Sequence, residues 1–423
     1  MKILIVGSGG REHSIAWKLS QSENITEIIC TPGNAGTHKI ARNINIQAQD
    51  IKSILQLSIE EKPDLVVIGP EVPLSLGLTD VLQKNDFLVF GPNQSAAQIE
   101  SSKAFSKKLM KDANIPTAEF EIFDNPKKAK DFVGKRDKKW VVKASGLAAG
   151  KGVIISSEKI SAQTAISEVM EKNTFGSAGD TCIVEEFLEG EEASLLVFTD
   201  SENVFPLPPA QDHKQIWEND LGPNTGGMGA YSPAPILPKH LQNKAIDSII
   251  KPIINTLTKQ GITYRGILYT GLMIKEDELK VLEFNCRFGD PECQPIMMRI
   301  KGDLLPMLIA TAQGDISKSN LEYYEDPSVC VVMSSGGYPG PYETNQIIHG
   351  IDNASTIEDV MVFHAGTTTN IDGEILTSGG RVLGITSKGP NLNSAINSAY
   401  SAVDLIDWKD CYYRKDIGAK AVR

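Results

Sequence analysis

The residues most suited to binding or catalysis lie in the segment Glu283–Gln294, which reads EFNCRFGDPECQ. Side chains alternate between the two faces of an extended strand, so Glu283 and Asn285 project to the same side. A carboxylate beside an amide oxygen suits magnesium, a hard cation usually held by one or two protein oxygens and by phosphate oxygens. Arg287 follows on that face, where its guanidinium can bind a phosphate or a carboxylate bidentately. The alternative is a polar strand end that merely turns at its glycine and proline.

Composition narrows the class of protein that can carry this segment. The 423-residue chain has a formal net charge of -11, and 41% of its residues are hydrophobic. An acidic chain without a basic stretch argues against sequence-independent binding to nucleic acid or to anionic membranes. No apolar run approaches the roughly 18 to 20 residues that span a bilayer, and Met1 leads into a strand-like segment without a signal-peptide pattern. We expect a cytoplasmic protein that acts on small molecules.

Cysteine usage points to neither a disulfide framework nor a zinc site. The six cysteines are scattered and form no CxxC pair. Cys286 and Cys293 flank the polar segment, but most cysteines of this kind are inert small hydrophobes. No role is assigned to either residue.

The first hundred residues alternate apolar strands with amphipathic helices. The predicted strands cover 2–6, 25–30, 65–68 and 88–90, and the predicted helices cover 12–20, 51–60 and 76–83. This alternation predicts parallel strands joined by right-handed crossovers. Each strand ends in a turn with glycine or proline, and such turns line the edge where open α/β sheets bind ligands.

The rest of the chain divides by pattern into three further parts. A helix over 95–113 leads into a small α+β segment up to 188, and a larger unit follows with a strand hairpin at 266–274 and 279–285. The last hundred residues are β-rich, with strands at 328–333, 361–365 and 381–386 and a closing helix at 393–406. The expected domains are 1–100, 101–188, 189–325 and 326–423.

The glycine-rich turn Gly7–Glu12 after the first strand invites a dinucleotide-binding interpretation, and two details argue against it. Glu12 occupies the position where a third glycine allows close helix packing, and the second strand is not followed by an acidic residue for a ribose hydroxyl. The turn still offers free N–H groups at a helix start, which suits a single phosphate. A purely structural tight turn is the alternative.

A second glycine-rich stretch, Ser145–Gly152, lies between two predicted strands and is flanked by Lys143 and Lys151. Glycines let the backbone approach phosphates, and a lysine supplies a point charge. The GxxxxGK[ST] spacing of a P-loop is absent. The stretch is either a mobile hairpin over a polyphosphate or a flexible surface turn.

Two polar stretches between these motifs and the predicted strand at 279–285 also contain residues that could bind a ligand. The acidic run Glu185–Glu192 is either solvated surface or a nucleotide site in which carboxylates accept ribose hydroxyls. The irregular segment Gln211–Ala230 is typical of a binding loop. His213 within it has no evident partner, so a solvated side chain is favoured over a general base.

Taken in order, these motifs resemble the phosphoribosylamine–glycine ligase family, the glycinamide ribonucleotide synthetases of the ATP-grasp superfamily. The resemblance is carried by Val6–His13, Lys143–Gly152, Gln211–Lys214, Gly222–Pro235 and Arg287–Gln294. It implies an α/β and α+β multidomain protein: an ATP-grasp fold with an N-terminal open parallel α/β domain and a β-rich C-terminal domain. The chain length matches the monofunctional form, so no fused domain is expected.

The resemblance also implies the site residues. ATP is expected to contact Lys103, Lys143, Gly150, Lys151, Gly152, Glu185, Leu188 and Glu192. Mg²⁺ or Mn²⁺ is expected on Glu283 and Asn285. The other substrates are expected at Gly9, Gly10, Glu71, Asp212, Lys214, Arg287 and Asp290, with Arg287 and Lys143 acting in catalysis. Because Glu191 is adjacent to Glu192, the ribose contact can belong to either residue.

The implied reaction joins glycine to 5-phosphoribosylamine through a glycyl phosphate, in purine biosynthesis. The expected partners are these small molecules, without nucleic acid or membrane, and the expected state is a monomer or weak homodimer. Another ATP-grasp ligase, a nucleotide-binding regulatory module and a dehydrogenase are the competing interpretations.

Overall fold

The first part of the chain folds into a parallel sheet flanked by helices. The computed structural model describes residues 1–148, 152–172 and 174–422. In chain order the first elements are β1 (Lys2–Gly7), α1 (Gly10–Leu19), β2 (Glu27–Pro32), β3 (Arg42–Asn43), α2 (Ile51–Glu61), β4 (Leu65–Ile68), α3 (Glu71–Ser75), α4 (Leu78–Gln83) and β5 (Val89–Phe90). The strands pair in parallel in the order β3-β2-β1-β4-β5. The predicted parallel alternation is confirmed, and the turns after β1 and β4 share one edge.

Both faces of this sheet are buried, which explains its apolar strands. Leu4 and Val6 of β1 pack into one hydrophobic cluster, whereas Ile3 and Ile5 pack into a second cluster on the other face. A parallel strand covered on both sides is apolar at every position rather than at alternate ones. Polar residues are therefore left to the turns, where the sheet meets the rest of the molecule.

The predicted helix over 95–113 is two helices. α5 (Gln94–Ser101) and α6 (Lys103–Asp112) are separated by Ser102, which has an extended backbone. The Ser102 hydroxyl accepts a hydrogen bond from the Phe105 N–H at 3.2 Å and so caps the second helix. A serine that competes for backbone donors ends one helix and starts the next, which the apolar pattern did not reveal.

A small antiparallel sheet follows α6. Its elements are β6 (Phe120–Phe123), α7 (Pro126–Gly134), β7 (Trp140–Ala144), β8 (Val153–Ser156), α8 (Lys159–Met170) and β9 (Cys182–Glu186). The strands lie in the order β6-β9-β7-β8 and all their pairs are antiparallel. The predicted placement of the glycine-rich stretch between two short strands is confirmed, since β7 and β8 flank it.

The next part contains the predicted hairpin. Its elements are β10 (Glu191–Thr199), β11 (Val204–Pro206), β12 (Gln211–Asp212), β13 (Gln215–Trp217), β14 (Leu221–Asn224), β15 (Gly229–Ser232), α9 (Lys239–Ala245), α10 (Lys251–Lys259), β16 (Gly266–Lys275), β17 (Glu278–Asn285), α11 (Cys293–Arg299), β18 (Ile300–Lys301), α12 (Leu305–Gln313) and β19 (Glu322–Tyr323). An antiparallel sheet has the order β11-β10-β16-β17. In the hairpin, Gly271 pairs with Glu283 and Leu272 pairs with Val281, so Leu282 is an extra, unpaired residue. Such a bulge re-aims the side chains that follow it.

The last part is β-rich, as predicted. Its elements are β20 (Ser328–Ser334), α13 (Ile351–Ala354), β21 (Val360–His364), β22 (Thr367–Thr369), β23 (Ile375–Thr377), β24 (Arg381–Lys388) and α14 (Leu392–Val403). Its antiparallel sheet has the order β12-β15-β20-β24-β21 and thus includes two strands from the middle of the chain. The irregular segment around residues 211–232 is thereby held against the C-terminal part. No helix in the described ranges is long and apolar enough to span a membrane.

Candidate active site

A cavity of about 560 Å³ is lined by residues from every part of the fold. The predicted site residues that line it are Glu71, Lys103, Lys143, Gly152, Glu185, Leu188, Glu192, Asp212, Lys214, Glu283, Asn285, Arg287 and Asp290. Gly9 and Gly10 are not among its lining residues. Gly150 and Lys151 lie outside the described residues. The cavity therefore gathers residues from Arg11 to Arg381, which are 370 positions apart in the chain.

The end of β17 presents Glu283 and Asn285 to the cavity. Burial alone would raise the pKa of the Glu283 carboxyl, but nearby cations, Lys214 and Lys143 foremost, outweigh it and lower that pKa. Glu283 is therefore ionised at neutral pH. The predicted placement of both side chains on one face of the strand agrees with their shared position in the cavity wall.

Glu100 of α5 holds the residues that follow Glu283, and the sequence interpretation missed it. Its carboxylate accepts the Cys286 backbone N–H at 2.7 Å and the Arg287 Nη2 at 2.7 Å. The Asn285 amide satisfies both of its ends when Nδ2 faces Glu100 Oε1 at 3.1 Å and the Phe284 carbonyl at 3.2 Å. One buried carboxylate thus organises three consecutive residues.

The donor set fits a hard divalent cation that phosphates help to bind. In the described ranges, no group of three or more His, Cys, Asp or Glu side chains is placed to hold a metal ion. Glu283 supplies one ionised carboxylate, and the amide orientation of Asn285 leaves its Oδ1 unused by Glu100. Two protein oxygens suit a magnesium-type ion that keeps phosphate and water ligands and would not suit a dedicated all-protein cage.

Arg287 is fixed between two carboxylates from the N-terminal part. Its Nη2 lies 2.7 Å from Glu100 and its Nε lies 3.5 Å from Glu71. Burial opposes the charged form, but the two carboxylates prevail and raise the pKa of the guanidinium. A permanently charged, planar group is therefore held at a set angle beside the metal-type residues.

Lysines from helix α6 and strand β7 form a second wall of the cavity. Glu185 on β9 lies 2.9 Å from Lys143 Nζ and 3.1 Å from Lys107 Nζ. Lys103 Nζ donates to the Gly146 carbonyl at 3.2 Å. Lys107 was not predicted, although its spacing of four residues from Lys103 on α6 places both on one helix face and was a usable signal. Burial lowers the pKa of Lys107 to about 8.

The acidic run contributes Glu192, and the ambiguity between neighbours is resolved in position. Glu192 lines the cavity and lies 2.7 Å from Lys214 Nζ, whereas the Glu191 side chain is exposed and outside the cavity lining. Strand alternation separates the two neighbours onto opposite faces of β10. The solvated interpretation of the run holds for Glu191 and not for Glu192.

Asp212 and Glu292 form a negative pocket in the cavity wall. Burial and the nearby Glu292 raise the pKa of the Asp212 carboxyl well above its usual range. Asp212 Oδ1 accepts the His213 backbone N–H at 2.6 Å. Lys214 and Arg381 lower that pKa, and a further cation bound beside Asp212 would favour its ionised form.

Arg381 connects the segment Arg287–Gln294, which carries the family resemblance, to the C-terminal part. Sequence reasoning missed Arg381. Its Nη1 donates to the carbonyls of Gly226 and Asp290, each at 2.7 Å, and its Nη2 lies 3.3 Å from the Asp290 carboxylate. Arg381 is 91 positions from Asp290 and sits at the start of an ordinary strand. No local pattern marked it.

The N-terminal turn lies beside the cavity and is packed tightly. Glu12 turns back to accept the Gly9 N–H at 2.6 Å, and a Cβ at Gly69 would approach its carboxylate at 2.0 Å. A Cβ at Gly10 would lie 2.5 Å from Gln294 Nε2. Glu12 therefore fills the space over the turn, in keeping with the argument against a dinucleotide there.

The prediction of a solvated His213 is wrong. The side chain is 1% exposed, and its Nδ1 lies 3.2 Å from the Gly229 carbonyl. Burial, with Arg414 adding to it, lowers the pKa of the ring to about 4, so His213 is neutral at pH 7 and does not line the cavity. The β12 and β15 pairing that buries it could not be read from local pattern. The six cysteines are free, as expected.

Comparison with known proteins decides the family. Models of the phosphoribosylglycinamide synthetase N domain, ATP-grasp (A) domain and C domain match residues 1–100, 101–293 and 328–420. A phosphoribosylamine–glycine ligase of Escherichia coli O157:H7 is 45% identical over 425 residues, which cover 100% of this chain and 99% of that protein. The chain belongs to the phosphoribosylamine–glycine ligase family. The family predicted from the motifs is confirmed.

Further relatives and solved structures agree with this family. The phosphoribosylamine–glycine ligase of Yersinia pestis is 44% identical, over 100% of this chain and 99% of that protein. The crystal structure of the family member from Thermotoga maritima has a TM-score of 0.84 at 31% identity and covers 99% of this chain and 100% of that one. A biotin carboxylase of Campylobacter jejuni, solved with β,γ-ATP, has a TM-score of 0.76 at 15% identity over 97% of this chain and 92% of that one, which shows the fold alone. The ATP-grasp fold prediction is confirmed.

Proposed function

We propose that this ATP-grasp ligase joins glycine to 5-phosphoribosylamine and releases ADP and phosphate, as the names of its relatives indicate. The observation that carries the proposal is one cavity in which the lysines, the Glu283 and Asn285 pair and the family-type segment from Arg287 meet. A glycine carboxylate oxygen attacks the γ-phosphorus of ATP, and ADP leaves. The ribosylamine nitrogen then attacks the acyl carbon of glycyl phosphate, phosphate leaves with that oxygen, and the amine gives up a proton.

ATP is placed by the lysine wall and by β9. In this proposal the phosphates are bound by Lys103, Lys143 and the glycine-rich loop, of which residues 145–148 and Gly152 are described. Glu185 and Leu188 lie beside adenine. Glu192, which contacts Lys214, accepts a ribose hydroxyl. Leu147 and Ala148, in the described part of this loop, line the cavity, and in this proposal they help to exclude water from the acyl phosphate. Gly150 and Lys151 keep their predicted phosphate role.

Glu283 and Asn285 would hold Mg²⁺ or Mn²⁺ beside the phosphates. A bound divalent cation neutralises charge that develops on the transferring phosphoryl group. The chain's own groups position the reactants, since phosphoryl transfer needs mainly orientation and fixed positive charge. Arg287 steadies the transferring phosphate or a substrate anion at the angle that Glu71 and Glu100 impose.

The remaining substrates fit the other end of the cavity. The Asp212 carboxyl, beside Glu292, binds the glycine ammonium, because a bound cation favours the ionised form of a carboxyl whose pKa is raised. Glu71, Asp290 and the nearby turn at Gly9 and Gly10 receive the phosphoribosyl group. The division into domains 1–100, 101–188, 189–325 and 326–423 is part of the same proposal.

An isotope experiment tests the reaction directly. With glycine labelled with ¹⁸O in the carboxylate, one labelled oxygen should appear in inorganic phosphate for each ADP formed. ADP release should require both glycine and 5-phosphoribosylamine. ADP release without glycine, or phosphate without label, contradicts the proposal. Release that depends on a different carboxylate or amine identifies another ATP-grasp ligase.

The setting is part of the same proposal. The enzyme works in the cytoplasm on small molecules, as a monomer or weak homodimer, without nucleic acid. The net charge of -11 supports the last point. Sedimentation of the purified chain measures its oligomeric state.

A further inference from the structure

Glu100 has contacts that a merely structural carboxylate would not need. It lies on α5, is 7% exposed, and sits 186 positions from the Cys286 N–H that it accepts. Its Oε2 accepts that backbone N–H, and its Oε1 accepts a hydrogen bond from Arg287 Nη2. When the Asn285 amide is assigned so that both of its ends are satisfied, Oε1 also accepts a hydrogen bond from Asn285 Nδ2 at 3.1 Å. All the donors come from the segment that directly follows Glu283.

The Asn285 amide has two orientations of nearly equal shape and opposite chemistry. With Nδ2 toward Glu100, the amide donates to the carboxylate and leaves Oδ1 for a cation. With the amide reversed, Oδ1 would face the Glu100 carboxylate and Nδ2 would face the cation. The second arrangement places acceptor against acceptor and donor against cation, so a carboxylate at position 100 selects the first.

We propose that Glu100 is a positioning residue that orients the Asn285 amide oxygen toward the divalent cation and, through the same Oε1, fixes the angle of Arg287. This inference rests on the proposed function, because it concerns the metal site assigned there. Glu100 belongs to a helix of the N-terminal part and Asn285 ends a strand of the ATP-grasp part. The contact therefore joins the metal-type residues to the sheet beside which the ribosylamine is placed.

The Phe284 carbonyl alone does not explain the orientation. It accepts from Asn285 Nδ2 at 3.2 Å, but it is a neutral acceptor on the adjacent residue. A hydrogen bond to a charged acceptor is roughly twice as strong as a neutral one. Residues that orient metal ligands typically change metal affinity or activity by roughly 10- to 100-fold when replaced.

The test is a donor–acceptor exchange read by Mn²⁺ binding to the enzyme–ADP complex, followed by electron paramagnetic resonance. Glu100→Gln presents an amide nitrogen where Oε1 stood, so Asn285 loses its acceptor and Mn²⁺ affinity should fall roughly 10- to 100-fold. In an Asn285→Asp background, the same Glu100→Gln change replaces two facing carboxylates with a donor and an acceptor. There it should raise Mn²⁺ affinity, and the double variant keeps the total charge of the pair.

A matched control separates orientation from the loss of an ion pair. Glu61 makes a two-point contact with Arg42, at 3.0 and 2.8 Å, outside the cavity. Glu61→Gln should leave Mn²⁺ affinity unchanged. Thermal unfolding and ADP binding without metal check that each variant is folded.

The outcomes are distinct. A reversal of sign between the two backgrounds supports the proposal, and an equal effect of Glu100→Gln in both, or no effect in either, overturns it. If Glu100→Gln alone does not fold, the comparison of Asn285→Asp with the double variant still decides, since only the positioning role predicts a gain. Failure of the unsubstituted chain to bind Mn²⁺ with ADP contradicts the metal site itself.

Discussion

The two walls of the cavity use different cations for different tasks. On the lysine side, Lys107 contacts Glu185 and the Thr117 hydroxyl, Lys143 contacts Glu185 and the Leu282 carbonyl, and Lys103 donates to the Gly146 carbonyl. On the arginine side, Arg287 and Arg381 are each held by carboxylates and carbonyls together. A lysine is a compact charge on a flexible stem, whereas an arginine is a rigid fork. The lysine side can adapt to a nucleotide that comes and goes, and the arginine side is preorganised.

The arginine side has a common design. Arg287 lies against Glu71 and Glu100, and Arg381 donates to two carbonyls and lies against Asp290. Arg287 donates to Glu100 and to the Phe288 carbonyl, and Arg381 is held at Gly226 and at Asp290. In the proposed mechanism, guanidinium groups held in this way present a fixed shape to a substrate anion.

The largest break is expected at Glu283, where the two walls meet. Its carboxylate faces Lys103, Lys143, Lys214 and Arg287, which together lower its pKa. Glu283→Ala should lower kcat by roughly 10³-fold or more, because the metal ligand is lost and these cations repel one another. Steady-state kinetics with saturating Mg²⁺ measures the effect.

Glu191→Ala is the matched control, since Glu191 is exposed on the other face of the same sheet, on β10, which β16 separates from β17. Its kcat should stay within roughly twofold of the unsubstituted value. A near-normal Glu283→Ala enzyme would remove the metal assignment.

A conservative exchange separates the two kinds of cation. Arg287→Lys keeps the charge but cannot span Glu71 and Glu100, so kcat/KM should fall by about 100-fold, equivalent to about 3 kcal/mol. Lys103→Arg keeps a positive charge beside the phosphates and should cost less than roughly tenfold. Equal losses in the two variants would contradict the distinction, and melting temperatures confirm that both are folded.

The same distinction shows what the sequence could and could not predict. Strand–helix alternation and the contiguous segment from Glu283 to Asp290 were enough to predict the fold and the metal-type strand. Glu100 and Arg381 act through contacts that span 186 and 91 positions, and each is a lone charged residue in an ordinary element. Local pattern carries no information on such contacts. The arginine side was therefore predicted only in part.

On the other wall, Lys143 was predicted because it flanks the glycine-rich stretch, and Lys103 was expected from the family resemblance alone. Lys107 was missed although its spacing from Lys103 was available. The break at Ser102 and the joining of β12 and β15 to the C-terminal sheet depend on a local cap and on long-range pairing. The sequence pattern, which suggested a continuous helix and a free binding loop, shows no sign of either feature.

A pH experiment tests whether only the lysine side titrates. Burial lowers the pKa of Lys107 to about 8, against an ordinary value of 10.5 in the unfolded chain. Between these values the unfolded chain binds more protons, so this group makes the free energy of unfolding rise with pH. From about pH 7 to about pH 9.5 the gain should be about 2 kcal/mol.

Urea unfolding of the unsubstituted chain and of Lys107→Met isolates this contribution. The difference in unfolding free energy between the two should grow with pH over that window. Arg287→Met should show no such dependence relative to the unsubstituted chain, because the guanidinium stays charged throughout. A pH-independent difference for Lys107→Met would contradict the shifted pKa.

The smallest effect is expected where the arginine side meets the N-terminal turn. A Cβ at Gly10 would lie 2.5 Å from Gln294 Nε2, which itself donates to Asp290 Oδ1 at 3.0 Å. Gly10→Ala should therefore push Gln294 aside, loosen Asp290 and raise the KM for the ribosylamine by roughly fivefold, with the KM for ATP unchanged. Gly134→Ala, whose Cβ would meet its nearest atom at 3.3 Å on a distant helix, is the control and should change neither value. Because the strain acts through one side chain on the arginine side, an equal rise in the KM for ATP would show that the two walls are not independent.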